Sequence, residues 1–243
     1  MMRLDLFISE SSLADSRTDA KNFILSGAVT VDGKVIRKPA FEVNGSEKIL
    51  VDKSSKRYVS RGGLKLEGAL DAFSIDVNGV RAIDIGASSG GFTDCLLQRG
   101  AKSVIAVDSG SGQLVDSLRN DERVLVIENF NARYMNPDSF EYTIDFAVMD
   151  VSFISAKLIF PAVHSILADG GGYVCLIKPQ FEVGRGGLNK NGIVKSDSLR
   201  EKTVSEVVAY AEYLGFKLKG IIKSPILGGD GNIEYLAYFV KNS

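Results

Sequence analysis

The run Arg81-Ala-Ile-Asp-Ile-Gly-Ala-Ser-Ser-Gly-Gly-Phe-Thr-Asp94 constrains the fold more than any other stretch of this 243-residue chain. A short apolar strand breaks into glycines and small hydroxyl residues, and a helix follows. Glycines at 86, 90 and 91 remove Cβ atoms where the backbone must turn sharply and pass close to a ligand, and the first turn of the next helix presents free N–H groups. The stretch predicts a nucleotide-cofactor loop at the mouth of an α/β sheet. Structural turns use the same residues, so a second signal is needed.

A dinucleotide-binding loop reads Gly-x-Gly-x-x-Gly, its second glycine admitting a pyrophosphate to the helix N-terminus. Here that position is Ser88. The spacing Asp84-x-Gly86-x-Ser88-x-Gly90-Gly91 instead resembles motif I of the S-adenosylmethionine-dependent methyltransferases, whose cofactor carries an amino-acid moiety and no phosphate. The second signal is the strand Ser103-Val-Ile-Ala-Val-Asp108, which ends in a carboxylate able to accept hydrogen bonds from ribose hydroxyls. With Asp84 heading the motif, the expected contacts are Gly86, Ser88, Ser89, Gly90, Gly91 and Phe92 around the methionine half and Asp108 at the ribose. Asn129 is the candidate for the adenine and equally a polar turn residue.

Composition narrows the class. Apolar residues make up 45% and charged residues 24%, which is ordinary for a globular chain with room for a full core. No apolar run approaches the roughly 18 residues that span a bilayer. Met1-Met2-Arg3-Leu4-Asp5 offers no signal-peptide apolar region, so a cytoplasmic protein is expected. Cys95 and Cys175 read as reduced core residues, His164 is the only histidine, and no cluster suggests a metal site. Histidine-based acid/base chemistry is therefore not expected. The net charge of −1 hides an asymmetry: residues 1–65 carry twelve Lys/Arg against eight Asp/Glu, and the remainder is acidic. A basic module beside an acidic one suits a nucleic-acid enzyme, although a solvated surface gives the same balance.

The first 57 residues read as a small α+β unit: a helix from Leu4, a second over 16–26, and strands near 28–31, 35–36 and 48–51, with Asp32-Gly33 as a hairpin turn. Arg3-Leu4-Asp5, Ser16-Arg17-Thr18-Asp19-Ala20 and the run Ile24 to Gly33 together resemble the S4 RNA-binding module. Arg17 and Lys21, one helical turn apart with Arg3 nearby, would meet the RNA backbone, where positive charge binds phosphate without reading sequence. The alternative is a solvated amphipathic face. A polar stretch follows, with a linker expected over 58–64, and residues 65–243 alternate strand and helix as a doubly wound sheet does. Strands are expected at 82–85, 103–107, 124–127, 145–149, 172–177, 216–223 and 233–240, with helices after Gly91, Gln113, Ser155 and Ser196. The terminal hairpin makes the last strand antiparallel, which distinguishes the methyltransferase version of this sheet.

Four ionisable residues fall where such a sheet places its active site. Lys65 lies just before the first helix of the second unit, Asp150 and Lys178 end strands, and Glu234 opens the last strand. Each alone reads equally as a surface charge. Around them stand Arg57-Tyr-Val-Ser-Arg-Gly-Gly-Leu-Lys-Leu66, Met149-Asp-Val-Ser-Phe-Ile-Ser155, Ile177-Lys-Pro-Gln-Phe-Glu-Val-Gly-Arg185 and Gly231-Asn-Ile-Glu-Tyr235. With the glycine loop, these motifs resemble the TlyA (hemolysin A) family of ribosomal RNA 2′-O-methyltransferases, an S4 module joined to a catalytic domain similar to the FtsJ (RrmJ) ribose methyltransferases.

The resemblance implies a Lys-Asp-Lys-Glu catalytic tetrad on Lys65, Asp150, Lys178 and Glu234, S-adenosylmethionine as cofactor, and ribosomal RNA or a ribosomal subunit as partner. It also implies a cytidine ribose as target. Because the chain begins almost at its first helix and ends soon after its last strand, a large-subunit site is the expectation. Arg61 and Arg185 join Arg3, Arg17 and Lys21 as expected RNA contacts, and the glycine-rich loop 181–193 reads as a substrate flap or an ordinary surface loop. Lys178 is the candidate general base, because a second lysine and a sulfonium would disfavour its protonated form, while the two carboxylates oppose that shift. Two other readings compete. A cofactor-fold binding protein without catalysis gives no reason for two lysines and two carboxylates at strand mouths, and a cytolysin would need a membrane-active segment.

Overall fold

The computed structural model of the chain describes residues 1–14, 16–53, 57–228 and 231–242, with all their side chains but those of Thr18, Asn22, Ser26 and Arg185. It divides into two compact units, Met1–Arg61 and Gly62–Ser243.

The first unit runs β1 (Met2–Arg3), α1 (Leu4–Glu10), α2 (Arg17–Ser26), β2 (Val29–Val31), β3 (Lys34–Val35), β4 (Glu42–Val43) and β5 (Ile49–Val51). Ser16 caps α2 by accepting the backbone N–H of Asp19 at 3.0 Å, and Gly27 ends the helix at φ +79°. Asp32 and Gly33 both take positive φ, the geometry of a tight hairpin turn, and β3 and β5 flank β2 antiparallel. Leu4 and Ile8 on α1, with Ala20 and Ile24 on α2, recur every fourth residue and close over Val29 and Val31. The short pair β1 and β4 was not anticipated, since two residues carry no periodicity.

The second unit runs α3 (Gly62–Ala72), β6 (Arg81–Ile85), α4 (Gly91–Gln98), β7 (Ser103–Val107), α5 (Asp116–Arg119), β8 (Val124–Ile127), β9 (Ile144–Met149), α6 (Phe160–Ile166), β10 (Leu167–Ile177), α7 (Pro179–Glu182), α8 (Asp197–Tyr213), β11 (Phe216–Lys223) and β12 (Tyr235–Lys241). Its seven-stranded sheet has the order β11-β12-β10-β9-β6-β7-β8. Strands β6 to β10 are parallel, and β12 lies antiparallel to both β10 and β11. Strand order reverses at β6, whose neighbours are β7 and β9, so the carboxyl ends of these three strands frame the crevice where doubly wound folds bind ligands.

Helices α6 and α8 cover one face through Phe160, Val163, Val204, Val207 and Ala211. Phe160 sits at the centre of an aromatic cluster with Tyr173, Phe216 and Phe239. Cys95 and Cys175 are buried in the core, as expected. His164 packs edge-on against Phe216, at the strand end remote from the crevice. The outer strand β11 carries exposed Lys217, Lys219 and Lys223 and a bulge between Leu218 and Gly220, two devices that keep an open sheet edge from pairing with another chain. Among the described residues, no helix is long and apolar enough to cross a membrane.

Three local expectations change. The stretch expected as a linker over 58–64 overlaps α3 at Gly62–Leu64, so Lys65 lies inside that helix rather than before it. Paired glycines disfavour a helix by propensity alone, but Leu66, Ala69 and Leu70 are buried and hold this one in place. The helix after Gln113 is a single turn, and β10 starts at Leu167, five residues before the expected start.

Candidate active site

The loop after β6 is held by its own strand and the next one. Gly86 has φ +85°, and a Cβ there would stand 2.4 Å from the carbonyl oxygen of Asp150, so only glycine lets the loop lie against the end of β9. Gly90, at φ +97°, starts α4 against Leu118 and Leu114. Ser88 adopts a positive φ without being glycine, and two bonds stabilise it: its N–H donates to Asp108 Oδ2 at 2.8 Å and its hydroxyl donates to Gln113 at 3.1 Å. The other Asp108 oxygen accepts the Gly110 N–H at 2.8 Å. Asp108 thus anchors two loops.

Between these loops lies a cavity of about 380 Å³ bordered by Gly86, Ser88, Asp108, Asn131, Asp150 and Phe153. The glycine cradle and the strand-end carboxylate fit a nucleoside cofactor. Of the expected cofactor residues, Gly86, Ser88 and Asp108 line this cavity, whereas Asp84, Ser89, Gly90, Gly91, Phe92 and Asn129 do not. Gly90, Gly91 and Phe92 are buried in the loop-to-helix junction, where they shape the wall from behind. Asn129 is exposed at φ +55°, with its N–H donating to Gly110 O; Asn131, two residues on, borders the cavity instead.

Asp84 acts from inside the fold. It is fully buried, and one of its oxygens accepts both the Thr93 N–H at 2.9 Å and the Thr93 hydroxyl at 2.7 Å, which pins the start of α4 to β6. Its other oxygen is buried without a partner among the described residues. Burial pushes this carboxyl up to about 7; the Thr93 hydroxyl pulls it down, and the Asp150 charge raises it further.

Lys65, Asp150, Lys178 and Glu234 form one continuous array. Lys178 Nζ stands 2.6 Å from Asp150 Oδ1 and donates to Ser152 Oγ at 2.8 Å. Lys65 Nζ stands 4.0 Å from Asp150 Oδ2 and 2.7 Å from Glu234 Oε2. Glu234 is 2% exposed, so water gives it little solvation and its charge is met by protein groups. Because Asp150 also borders the cavity, the array and the cavity share a wall. Lys178 is the residue before α7, a one-turn helix on which Glu182 accepts the Ser155 hydroxyl at 2.6 Å and the Ala156 N–H at 2.7 Å.

At the cavity mouth Phe153 is 91% exposed at φ +63°, a backbone region that a bulky side chain rarely occupies, and its ring lies 5.1 Å from that of Phe181. The loop 181–193, expected as a substrate flap or an ordinary surface loop, is tied at two points. Leu188 bridges to Val194, and buried Asn232 accepts the Val194 N–H at 3.2 Å and donates to Gly192 O at 3.1 Å. Among the described residues no group of His, Cys, Asp and Glu has the form of a metal site.

In the first unit, Arg3 and Arg17 converge on Asp5, a fully buried carboxylate, at 2.9 and 3.2 Å. The hydrogen bond from Arg3, aided by Arg17, holds the Asp5 carboxyl down at about 2 against the effect of burial. Both arginines stay about half exposed, and Lys21 is exposed one turn on. Arg61 immediately precedes α3, and the Arg185 side chain lies outside the described residues.

Comparison with known proteins agrees with this geometry. Residues 58–241 match the model of the FtsJ-like methyltransferases, and residues 2–49 match the S4 domain. The chain is 44% identical over 237 residues to the 16S/23S rRNA (cytidine-2′-O)-methyltransferase TlyA of Mycobacterium tuberculosis, covering 97% of this chain and 88% of the relative. It is 45% identical over 240 residues to Hemolysin A of Brachyspira hyodysenteriae, covering 98% and 100%. A solved structure of a candidate hemolysin from Streptococcus thermophilus superposes with a TM-score of 0.80 at 46% identity, over 100% of this chain and 89% of the other. The chain belongs to the TlyA (hemolysin A) family of ribosomal RNA methyltransferases, an S4 domain followed by an FtsJ-like methyltransferase domain.

Proposed function

We propose that the chain transfers a methyl group from S-adenosylmethionine to the ribose 2′-hydroxyl of a cytidine in large-subunit ribosomal RNA, in the cytoplasm. The observation that carries this reading is the shared wall: Asp150 borders the cofactor-sized cavity and also joins the two lysines. The Mycobacterium tuberculosis relative, named for cytidine-2′-O methylation of 16S and 23S RNA, supports a ribosomal RNA cytidine as the substrate class.

When bound, S-adenosylmethionine supplies a methyl group activated by its sulfonium. Gly86 and Ser88 would border its methionine half, Asp108 would accept from its ribose, and Asn131 rather than Asn129 would meet its adenine. A ribose hydroxyl is a poor nucleophile and must be aligned and deprotonated as the new bond forms. Lys178 takes that proton. Asp150, 2.6 Å away, stabilises the ammonium that results, as a carboxylate does beside a general-base histidine. Lys65, held by Glu234 at 2.7 Å, stands 4.0 Å from the other Asp150 oxygen and keeps that carboxylate in place. Residues 1–57 supply RNA affinity through Arg3, Arg17 and Lys21, and residues 65–243 supply the chemistry, with Arg61 and Arg185 between and beside them as RNA contacts.

The test is methyl transfer from labelled S-adenosylmethionine to separated ribosomal subunits, followed by mapping of the modified nucleoside. A 2′-O-methylcytidine in large-subunit RNA is expected. Methylation of a base, or of no RNA at all, contradicts the reading.

A further inference from the structure

Glu234 has a partner outside the lysines. Gln180, on α7, donates from Nε2 to Glu234 Oε1 at 3.1 Å, while Lys65 occupies the other carboxylate oxygen. The amide orientation is fixed by chemistry, since a carboxylate only accepts and a flipped amide would set two acceptors against each other. The carbonyl end of Gln180 is buried without a partner among the described residues. The position thus satisfies a donor requirement at the expense of its own acceptor. Gly228 closes the remaining side, where a Cβ would come within 2.5 Å of Glu234 Oε1.

The charges around this contact alternate. Lys178 ahead of α7, Asp150 after β9, Lys65 on α3 and Glu234 before β12 balance to zero. A lysine or arginine at position 180 would tip the array positive, and an apolar residue would leave a buried carboxylate oxygen unmet. A neutral donor avoids both. Gln180 is also two residues from Lys178, so a single helical turn is tied to both ends of the array.

We infer that Gln180 is a positioning residue for methyl transfer: it holds the Glu234 carboxylate on Lys65 and, through α7, sets the distance between Lys178 and the rest of the array. The inference rests on the methyltransferase reading above. It touches neither cofactor nor substrate, so its loss should lower kcat and leave cofactor affinity unchanged.

The test compares Gln180→Leu and Gln180→Glu with the unaltered protein across pH, by methyl transfer and by thermal unfolding. Gln180→Leu should lower kcat by about ten- to hundred-fold with cofactor Kd unchanged. Gln180→Glu has a distinct signature. Two carboxyls in contact share one proton, and the shared proton donates as the amide does; at higher pH it is lost and two negative charges meet. Its rate relative to the unaltered protein should approach one at acidic pH and fall as pH rises, and its Tm should fall in the same sense, while the Tm difference for Gln180→Leu stays level. A Leu variant within twofold of the unaltered kcat, or a Glu variant whose relative rate and Tm are flat with pH, overturns the inference. Absence of transfer by the unaltered protein overturns the functional reading instead, and the unfolding series still decides whether Gln180 is coupled to Glu234.

Discussion

Lys178 and Asp150, the residues that follow β10 and β9, meet at 2.6 Å although 28 positions separate them in the chain. Parallel pairing of the two strands, which aligns Cys175 with Met149, brings their carboxyl ends to one rim. The pair therefore depends on sheet register, and the cavity beside it depends on Gly86 packing against the same Asp150.

Asp108 has two duties, and its substitutions should separate them. Asp108→Ala removes the proposed ribose acceptor and also frees the Ser88 and Gly110 N–H groups, so cofactor binding should weaken by at least the roughly 1.5–3 kcal/mol of a hydrogen bond to a charged group. Asp108→Asn keeps one acceptor oxygen and should lose less. Calorimetry with S-adenosylhomocysteine reads both; equal affinity in Asp108→Ala would show that the carboxylate only braces the loop.

Asp84 makes the fold lose stability as pH rises. Its carboxyl rises to about 7 in the folded chain against an ordinary value of 3.8. Between these values the folded state keeps a proton that the unfolded state has lost, so the contribution of Asp84 is fully present below about pH 4 and declines until pH passes about 7. Asp84→Asn retains an oxygen to accept from Thr93 and cannot ionise. Denaturant unfolding should show the variant gaining on the unaltered protein from pH 4 to 7 and then levelling. A stability difference constant with pH would mean that Asp84 is charged throughout.

The glycine loop, both units and the four residues of the array were legible because each carries a signal within a few positions: a glycine spacing, an apolar run, a charge at a strand end. What escaped lies below that length or depends on contacts distant in sequence. Helix α7 is one turn and has no period to detect, so Gln180 and Glu182 looked like ordinary loop polarity. Asn129 and Asn131 are equivalent in sequence, and only the positive φ at 129 turns one away and the other toward the cavity. Nothing local marks Asp5 as an anchor, because a carboxylate in a first helical turn is normally a solvated dipole partner, and here the fold buries it and draws in two arginines. Asn232 shows why the 181–193 loop is not the loose flap its glycines suggest.

RNA affinity should follow the first unit, but the choice of substitution matters. Arg17→Glu would set a second carboxylate against buried Asp5 and weaken the fold as well as the interface. Lys21→Glu combined with Arg17→Gln avoids this. The pair should weaken binding to ribosomal RNA, lower the slope of log affinity against log salt by roughly 1 to 2, and leave cofactor affinity unchanged. Filter binding over a salt series reads the slope; an unchanged slope would remove these side chains from the interface.

Phe153 should show stability and function pulling apart. A non-glycine residue at φ +63° costs about 1–2 kcal/mol, and the ring gains little from packing because it is 91% exposed. Phe153→Gly should therefore leave stability equal or higher. It should also weaken transfer, because an exposed ring at the cavity mouth is placed to stack on an unstacked base. Unchanged kcat/KM for RNA would show that the strained ring has no part in substrate binding.

Whether Lys178 acts on the hydroxyl is decided by a single-turnover comparison of the unaltered protein with Lys178→Ala and Lys178→Arg. Cofactor and RNA binding are measured alongside to establish that each variant is loaded. Both substitutions should bind normally and transfer almost no methyl groups, because arginine keeps the charge beside Asp150 but cannot give up its proton. Transfer by Lys178→Arg at close to the unaltered rate would contradict the account and reduce Lys178 to a group that only positions the hydroxyl.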